Sequence, residues 1–348
     1  MTRFISPTLR GSISLLAVAA LLLTACQPLD TGDVDGASAS PGATAVGSGA
    51  AVGSGAAGGT EQLTIATGGT GGVYFPLGGG LAIELNENIE GVSASAQETS
   101  ASVDNMRLIG SGGADIAFVL GDTAADAVKG RGDFEGGPIA ACTLGMIYSN
   151  FTQVVTSSDT GITSIEGLRG KRVSLGAPGS GTEIIALRIL EAAGIDPDAD
   201  ITRSQLLVDE TVQGLGDGTI DAGFWSGGLP TGALVEYANG GKMLLLPTAE
   251  YTADLATKYG PFYVEQEIPG GTYANQAAAV ATIVVPNVLV VNTSMSQDLQ
   301  QQITQVLFEQ KADLVAVHPA AGELDASTAG DVEFMDVCPG ARAYYDAN

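Results

Sequence analysis

The stretch GAPGSGTE, Gly176 to Glu183, holds Gly176 and Gly181 at the Gly-x4-Gly spacing of a phosphate-binding loop, but Thr182 stands where such a loop carries its lysine. Without that charge, what remains for an anion is backbone N–H groups, the hydroxyls of Ser180 and Thr182, and the positive end of a following helix. These suit a small anion better than a triphosphate. A plain strand-to-helix turn with Thr182 as its N-cap accounts for the same residues.

Other catalytic chemistry has little to build on. The single histidine, His318 in VAVHPAA, follows a helical segment and precedes Pro319, so it reads as a helix-end residue. Of the three cysteines, Cys26 is taken by the export signal described below. Cys142 and Cys338 then remain as one candidate disulfide or as two buried thiols. Neither a serine or cysteine triad nor a Cys/His zinc site is supported, and no metal or cofactor is expected. Asp and Glu could still do acid–base work, which leaves a weak esterase or lyase as the enzymatic alternative. Arg131-Gly132-Asp133 spells an adhesion tripeptide, a three-letter match that chance supplies readily.

The N-terminus reads as a lipoprotein export signal over residues 1–25: a basic segment with Arg3 and Arg10, the apolar run ISLLAVAALLL, and LTAC ending at Cys26. The apolar run is shorter than the roughly 20 residues that span a bilayer. Residues 26–60, with VGSGAA twice in tandem, lack bulky apolar side chains and read as a lipidated cysteine followed by a flexible tether. The expected location is extracytoplasmic and membrane-anchored. The net charge is −25, and cleavage before Cys26 would remove two arginines and make it more negative. Such a surface repels nucleic acid and anionic headgroups, so nucleic-acid binding is set aside.

The elements that must position the loop follow an α/β grammar of short apolar runs alternating with helical patterns. QLTIAT is a strand, GGTGGVYFP a glycine-rich turn and LGGGLAIELNENI a helix. VSASAQE, the loop ETSAS, the helix SVDNMRLIG and the strand ADIAFVL follow. The same order returns in RVSLGAP, GSGTEIIALRILEAAG, TVQGLGDG and IDAGFW, which predicts two similar lobes. Two apolar runs, residues 143–159 and 282–295, are the candidate crossings between them. This divides the folded part into lobe 1 (61–150 and 286–348) and lobe 2 (151–285). Ligands of open α/β sheets bind beyond the carboxyl ends of strands, where all of these glycine-rich loops fall.

Seven segments occur in order from Leu63 to Asp346: TGGTGGVYFPLG, ETSASVDNMRL, GADIAFVLGD, SIEGLRGKRVSLGAPGSGTE, DAGFWSGGLPTG, IPGGTY and PGARAYY. On these the chain resembles the TAXI-type solute receptors of TRAP (tripartite ATP-independent periplasmic) transporters. The resemblance implies a bilobal, type II-like periplasmic-binding fold with a two-strand hinge, no catalysis, and delivery of a small carboxylate or amino acid to a TRAP-type membrane permease. It also implies ligand contact at Thr70, Gly71, Gly72 and Tyr74, at Glu98, Thr99 and Ser100, at Gly121 and Asp122, at Ser180, Gly181 and Thr182, and at Trp225, Ser226 and Gly227. Relatives usually show Ala-Thr-Gly-Gly-Ser where this chain has Glu98 to Ser102, and a histidine where Cys338 stands. The five loops that hold these contact residues contain no Lys or Arg. The expected ligand is therefore a zwitterion or monocarboxylate: its amino or hydroxyl group toward Glu98, its carboxylate toward GAPGSGTE and its apolar part on Trp225. A receptor for an ATP-driven importer or a sensor kinase is the alternative within the same fold.

Overall fold

The computed structural model describes residues 60–348; the export signal, the lipidation expected at Cys26 and the tether lie outside the described residues. Ten strands form one sheet: β1 (Glu61–Ala66), β2 (Val92–Gln97), β3 (Ile116–Leu120), β4 (Ala141–Ser157), β5 (Arg172–Ser174), β6 (Thr202–Ser204), β7 (Ala222–Gly227), β8 (Met243–Leu246), β9 (Val264–Ile268) and β10 (Val280–Asn292). The helices are α1 (Tyr74–Asn88), α2 (Ser102–Ser111), α3 (Gly121–Lys129), α4 (Gly181–Ala192), α5 (Val208–Asp217), α6 (Gly232–Ala238), α7 (Thr252–Tyr259), α8 (Gln297–Glu309), α9 (Lys311–Val317) and α10 (Pro339–Ala347). Among the described residues, no helix is long and apolar enough to cross a membrane.

The main strand order is β2-β1-β3-β10-β4-β7-β5-β6. It is the same arrangement twice. In one lobe β1 lies between parallel β2 and β3, with β10 antiparallel beside β3. In the other, β5 lies between parallel β6 and β7, with β4 antiparallel beside β7. Strand β3, IAFVL, is buried at every position, the pattern of a strand covered by helices on both faces. Helix α1 turns Leu77, Leu81 and Leu85 inward at a spacing of four.

The two runs read as lobe crossings are the long strands β4 and β10, which pair antiparallel at the centre. Leu144, Ile147 and Tyr148 of β4 belong to the core under α1, α8 and α9. Further along the same strand, Val154 packs in the core beneath α4 and α7, and Phe151 and Val155 in the core beneath α5 and α6. Strand β10 does the reverse, with Ile283 and Val285 in the second lobe and Leu289 and Val291 in the first. Its pairing with β4 shifts register after Pro286, a residue that has no N–H to give the ladder. Such irregularities re-aim neighbouring side chains, and this one lies opposite Ser149, between Tyr148 and Asn150.

Cys142 of β4 and Cys338 at the start of α10 form a disulfide spanning 196 residues. It fixes α10 to the first lobe together with the hydrogen bonds Cys338 N–H to Thr143 O (2.8 Å) and Tyr345 OH to Leu144 O (2.6 Å).

Candidate functional site

A cavity of about 490 Å³, counting its open mouth, lies between the lobes. Its size is that of a small-molecule site. The first lobe lines it with Gly68 and Gly69 after β1, Ser100 to Ser102 after β2, and Leu120 at the end of β3. The second contributes Ala177 and Ser180 after β5, Leu207 after β6, and Trp225 to Gly227 at the end of β7. All six groups sit at the carboxyl ends of parallel strands, where an open α/β sheet leaves helix N-termini facing a ligand.

Buried polar groups fix these loops. Asn105 of α2 donates to Thr67 O (2.7 Å) and Phe118 O (2.8 Å) and accepts from the Thr99 hydroxyl (2.6 Å), tying together the ends of β1, β2 and β3. In the second lobe the Trp225 indole N–H donates to Thr231 Oγ1 (2.9 Å), and Ser226 N–H donates to Thr182 Oγ1 (3.2 Å). The indole lies against the glycine-rich turn of the first lobe, so that a Cβ on Gly72 would come within 2.9 Å of the ring.

Nine of the expected contact residues line the cavity: Gly72, Tyr74, Ser100, Ser180, Gly181, Thr182, Trp225, Ser226 and Gly227. The loop GAPGSGTE is a strand-to-helix turn whose N-cap is Ser180 rather than Thr182: the Ser180 hydroxyl accepts from Glu183 N–H at 3.1 Å. Gly181 and Thr182 open α4 with N–H groups that have no carbonyl one turn back. Helix α1 likewise opens on the cavity at Tyr74. By contrast, α2 is blocked at its start, because Val103 and Asp104 N–H donate across the cleft to Gly179 O (3.1 and 3.2 Å).

The other six lie elsewhere. Thr70 is exposed, and Gly71 N–H donates across the cleft to Asp209 (3.1 Å). Glu98 and Thr99 line a separate outer groove with Asp104 and Glu210, and the Thr99 hydroxyl is spent on Asn105. A Cβ on Gly121 would meet Phe334 and Pro286, so its backbone is packed away from the cavity. Asp122 is fully buried and accepts from Arg188 of α4 (3.1 Å), Tyr263 OH (2.6 Å) and Thr123 N–H (2.7 Å). Asp122 thus joins α3 to α4 between the lobes, and its charge is met by Arg188. Burial pushes its carboxyl up from the ordinary value against the pull of that guanidinium.

Sequence reasoning missed Tyr148 and Asn150, which reach the cavity from β4. Tyr148 OH, Asn150 Oδ1 and Ser226 Oγ are buried and have no hydrogen-bond partner in the protein. A buried polar atom left unpaired costs about 1–3 kcal/mol, so three of them around one cavity mark where a ligand's polar atoms belong. Burial raises the Tyr148 phenol well above its usual range, so it remains a neutral donor. The Tyr74 hydroxyl, also raised by burial, donates to Asn287 Oδ1. No Lys, Arg, His, Asp or Glu lines the cavity. Among the described residues no cluster of His, Cys, Asp or Glu is arranged to hold a metal. His318 Nδ1 accepts from Ala320 N–H (3.1 Å), which leaves the proton on Nε2 to donate to Pro230 O (3.1 Å). It is a satisfied structural residue.

Among solved structures, the chain is similar to the periplasmic aliphatic sulphonate binding protein SsuA of Escherichia coli: 15% identity, 82% of this chain and 83% of that one covered, TM-score 0.43. XAC2383 from Xanthomonas citri, bound to ATP, matches at 14% identity over 82% and 95%, TM-score 0.46. A structure from work on glutathione import via GshT and the cystine ABC importer TcyBC of Streptococcus mutans matches at 12% over 75% and 95%, TM-score 0.48. The model of the NMT1-like family matches residues 65–347, nearly all of the folded part, and the chain belongs to that family.

Proposed function

We propose that the protein is an extracytoplasmic receptor that captures a small carboxylate-bearing solute between its lobes and delivers it to a membrane permease, without chemical turnover. The observation that carries this reading is the interlobe cavity with three unsatisfied buried polar side chains. Two helix starts offer N–H groups to the carboxylate, and Trp225 offers an apolar surface to the rest of the solute. The lobe division at 150/151 and 285/286 lets β4 and β10 act as the hinge. Lipid attachment at Cys26 and a TRAP-type permease as the recipient complete the proposal. The motif order from TGGTGGVYFPLG to PGARAYY supports the permease type.

A thermal-shift screen of small carboxylates and amino acids tests the receptor reading. A ligand at a hundred times its dissociation constant adds about 2.7 kcal/mol of stability. A broad screen with no shift would count against it. Replacing Cys26 with Ser should release the protein from membranes, and persistent membrane association would refute the anchor.

A further inference from the structure

The polar groups inside the cavity discriminate between solutes that share a carboxylate. Tyr148, Asn150 and Ser226 are 5%, 2% and 6% exposed, and each carries a polar atom with no protein partner. Asn150 Oδ1 can only accept, so the solute must bring a donor to it. Tyr148 OH and Ser226 Oγ can each donate. One group on the solute that both donates and accepts matches this set, and a hydroxyl is the smallest such group.

An ammonium group matches it poorly. It brings a full charge, and the cavity lining supplies no carboxylate to meet it. The acids nearby are committed or remote: Asp122 is bound by Arg188 and Tyr263, and Glu98, Asp104 and Glu210 line the outer groove. Glu323 accepts from the backbone N–H of Ser149 (2.9 Å) and lies outside the lining. The starts of α1 and α4 add positive potential, which favours the carboxylate and opposes an ammonium beside it. A buried cation without an ionised partner is strongly disfavoured, whereas a hydroxyl loses only hydrogen bonds that these side chains replace.

We infer that the cavity selects short 2-hydroxy monocarboxylates and rejects the 2-amino acids of the same carbon skeleton, with Tyr148, Asn150 and Ser226 as the groups that read the hydroxyl. This rests on the receptor reading above. The cavity volume of about 490 Å³, open mouth included, limits the solute to a small molecule.

The test incubates the purified full chain with an equimolar mixture of short straight and branched monocarboxylic acids, each as its 2-hydroxy, 2-amino and unsubstituted form. Compounds retained after rapid gel filtration are identified by mass spectrometry. For the best-retained skeleton, the 2-hydroxy form should exceed the 2-amino form by about tenfold or more, and should also exceed the unsubstituted acid. Tyr148→Phe removes an oxygen with no protein partner, so the fold should persist. It should erase most of the preference of the 2-hydroxy form over the unsubstituted acid. Asn150→Ala should act in the same direction. Equal or better retention of the 2-amino form, or a hydroxyl preference that survives Tyr148→Phe, overturns the inference and leaves the receptor standing. Retention of no acid at all overturns the receptor reading and this inference with it.

Discussion

Replacing Arg188 with methionine keeps most of the side chain's length on α4 and removes the charge that meets Asp122 across the lobes. Asp122 is fully buried, and the Arg188 side chain is 12% exposed. Arg188 also pairs with Asp126, donates to Tyr263 OH (2.5 Å) and lies 4.2 Å from the centroid of the Tyr259 ring. Breaking a buried pair from one side costs about 3–5 kcal/mol, because the remaining charge is left without its partner. Tyr263 OH and Thr123 N–H still bond the carboxylate, so a loss near the lower end, about 3 kcal/mol, is expected in denaturant unfolding at neutral pH. The sign with pH follows from Asp122. Its folded value lies above the ordinary 3.8 through burial, so protonation favours the folded state, and this contribution fades as pH rises through the folded value. Without Arg188 the carboxyl is pushed higher still. The penalty of Arg188→Met should therefore be small near pH 4 and grow toward pH 8. Adding Asp122→Asn should recover much of it at neutral pH. A loss under about 1 kcal/mol at pH 7, or a penalty of equal size across this range, would refute the reasoning.

Replacing Cys142 and Cys338 together with alanine should cost about 5 kcal/mol, the loop-entropy value for so long a loop. A loss below about 1 kcal/mol in urea unfolding would contradict that. Ala101 adopts φ +78°, ψ −143°, close to a region that costs a non-glycine residue about 1–3 kcal/mol. Ala101→Gly should stabilise by about 1 kcal/mol once the entropy of glycine is counted, and a lowered melting temperature would argue against strain there. Ser180→Ala removes the N-cap of α4 and should cost about 1 kcal/mol in the ligand-free protein, read by the same unfolding.

Local chemistry in the sequence determines the strands, the helices, the glycine-rich loops and the doubled order of the two lobes. Leu77, Leu81 and Leu85 write α1 by their spacing, and ADIAFVL reads as a strand, which is β3. Loops at the carboxyl ends of parallel strands gather at one place in this architecture, and the nine residues implied by the resemblance that line the cavity lie in or beside such loops. Tyr148 and Asn150 do not, since they belong to a long apolar run. The local sign was polar side chains, Asn150 and Gln153 among them, in the middle of a strand otherwise rich in apolar residues. Asp122 is a contact residue only by the resemblance. Only the tertiary structure brings Arg188, 66 residues further along, onto its carboxylate. Likewise Asn105 is an ordinary helix residue until the ends of β1, β2 and β3 converge on it. Spacing along the chain encodes which face of an element is apolar. Which polar atoms are paired and which are left open to a ligand depends on groups far apart in sequence, and it is decided only when the two lobes come together.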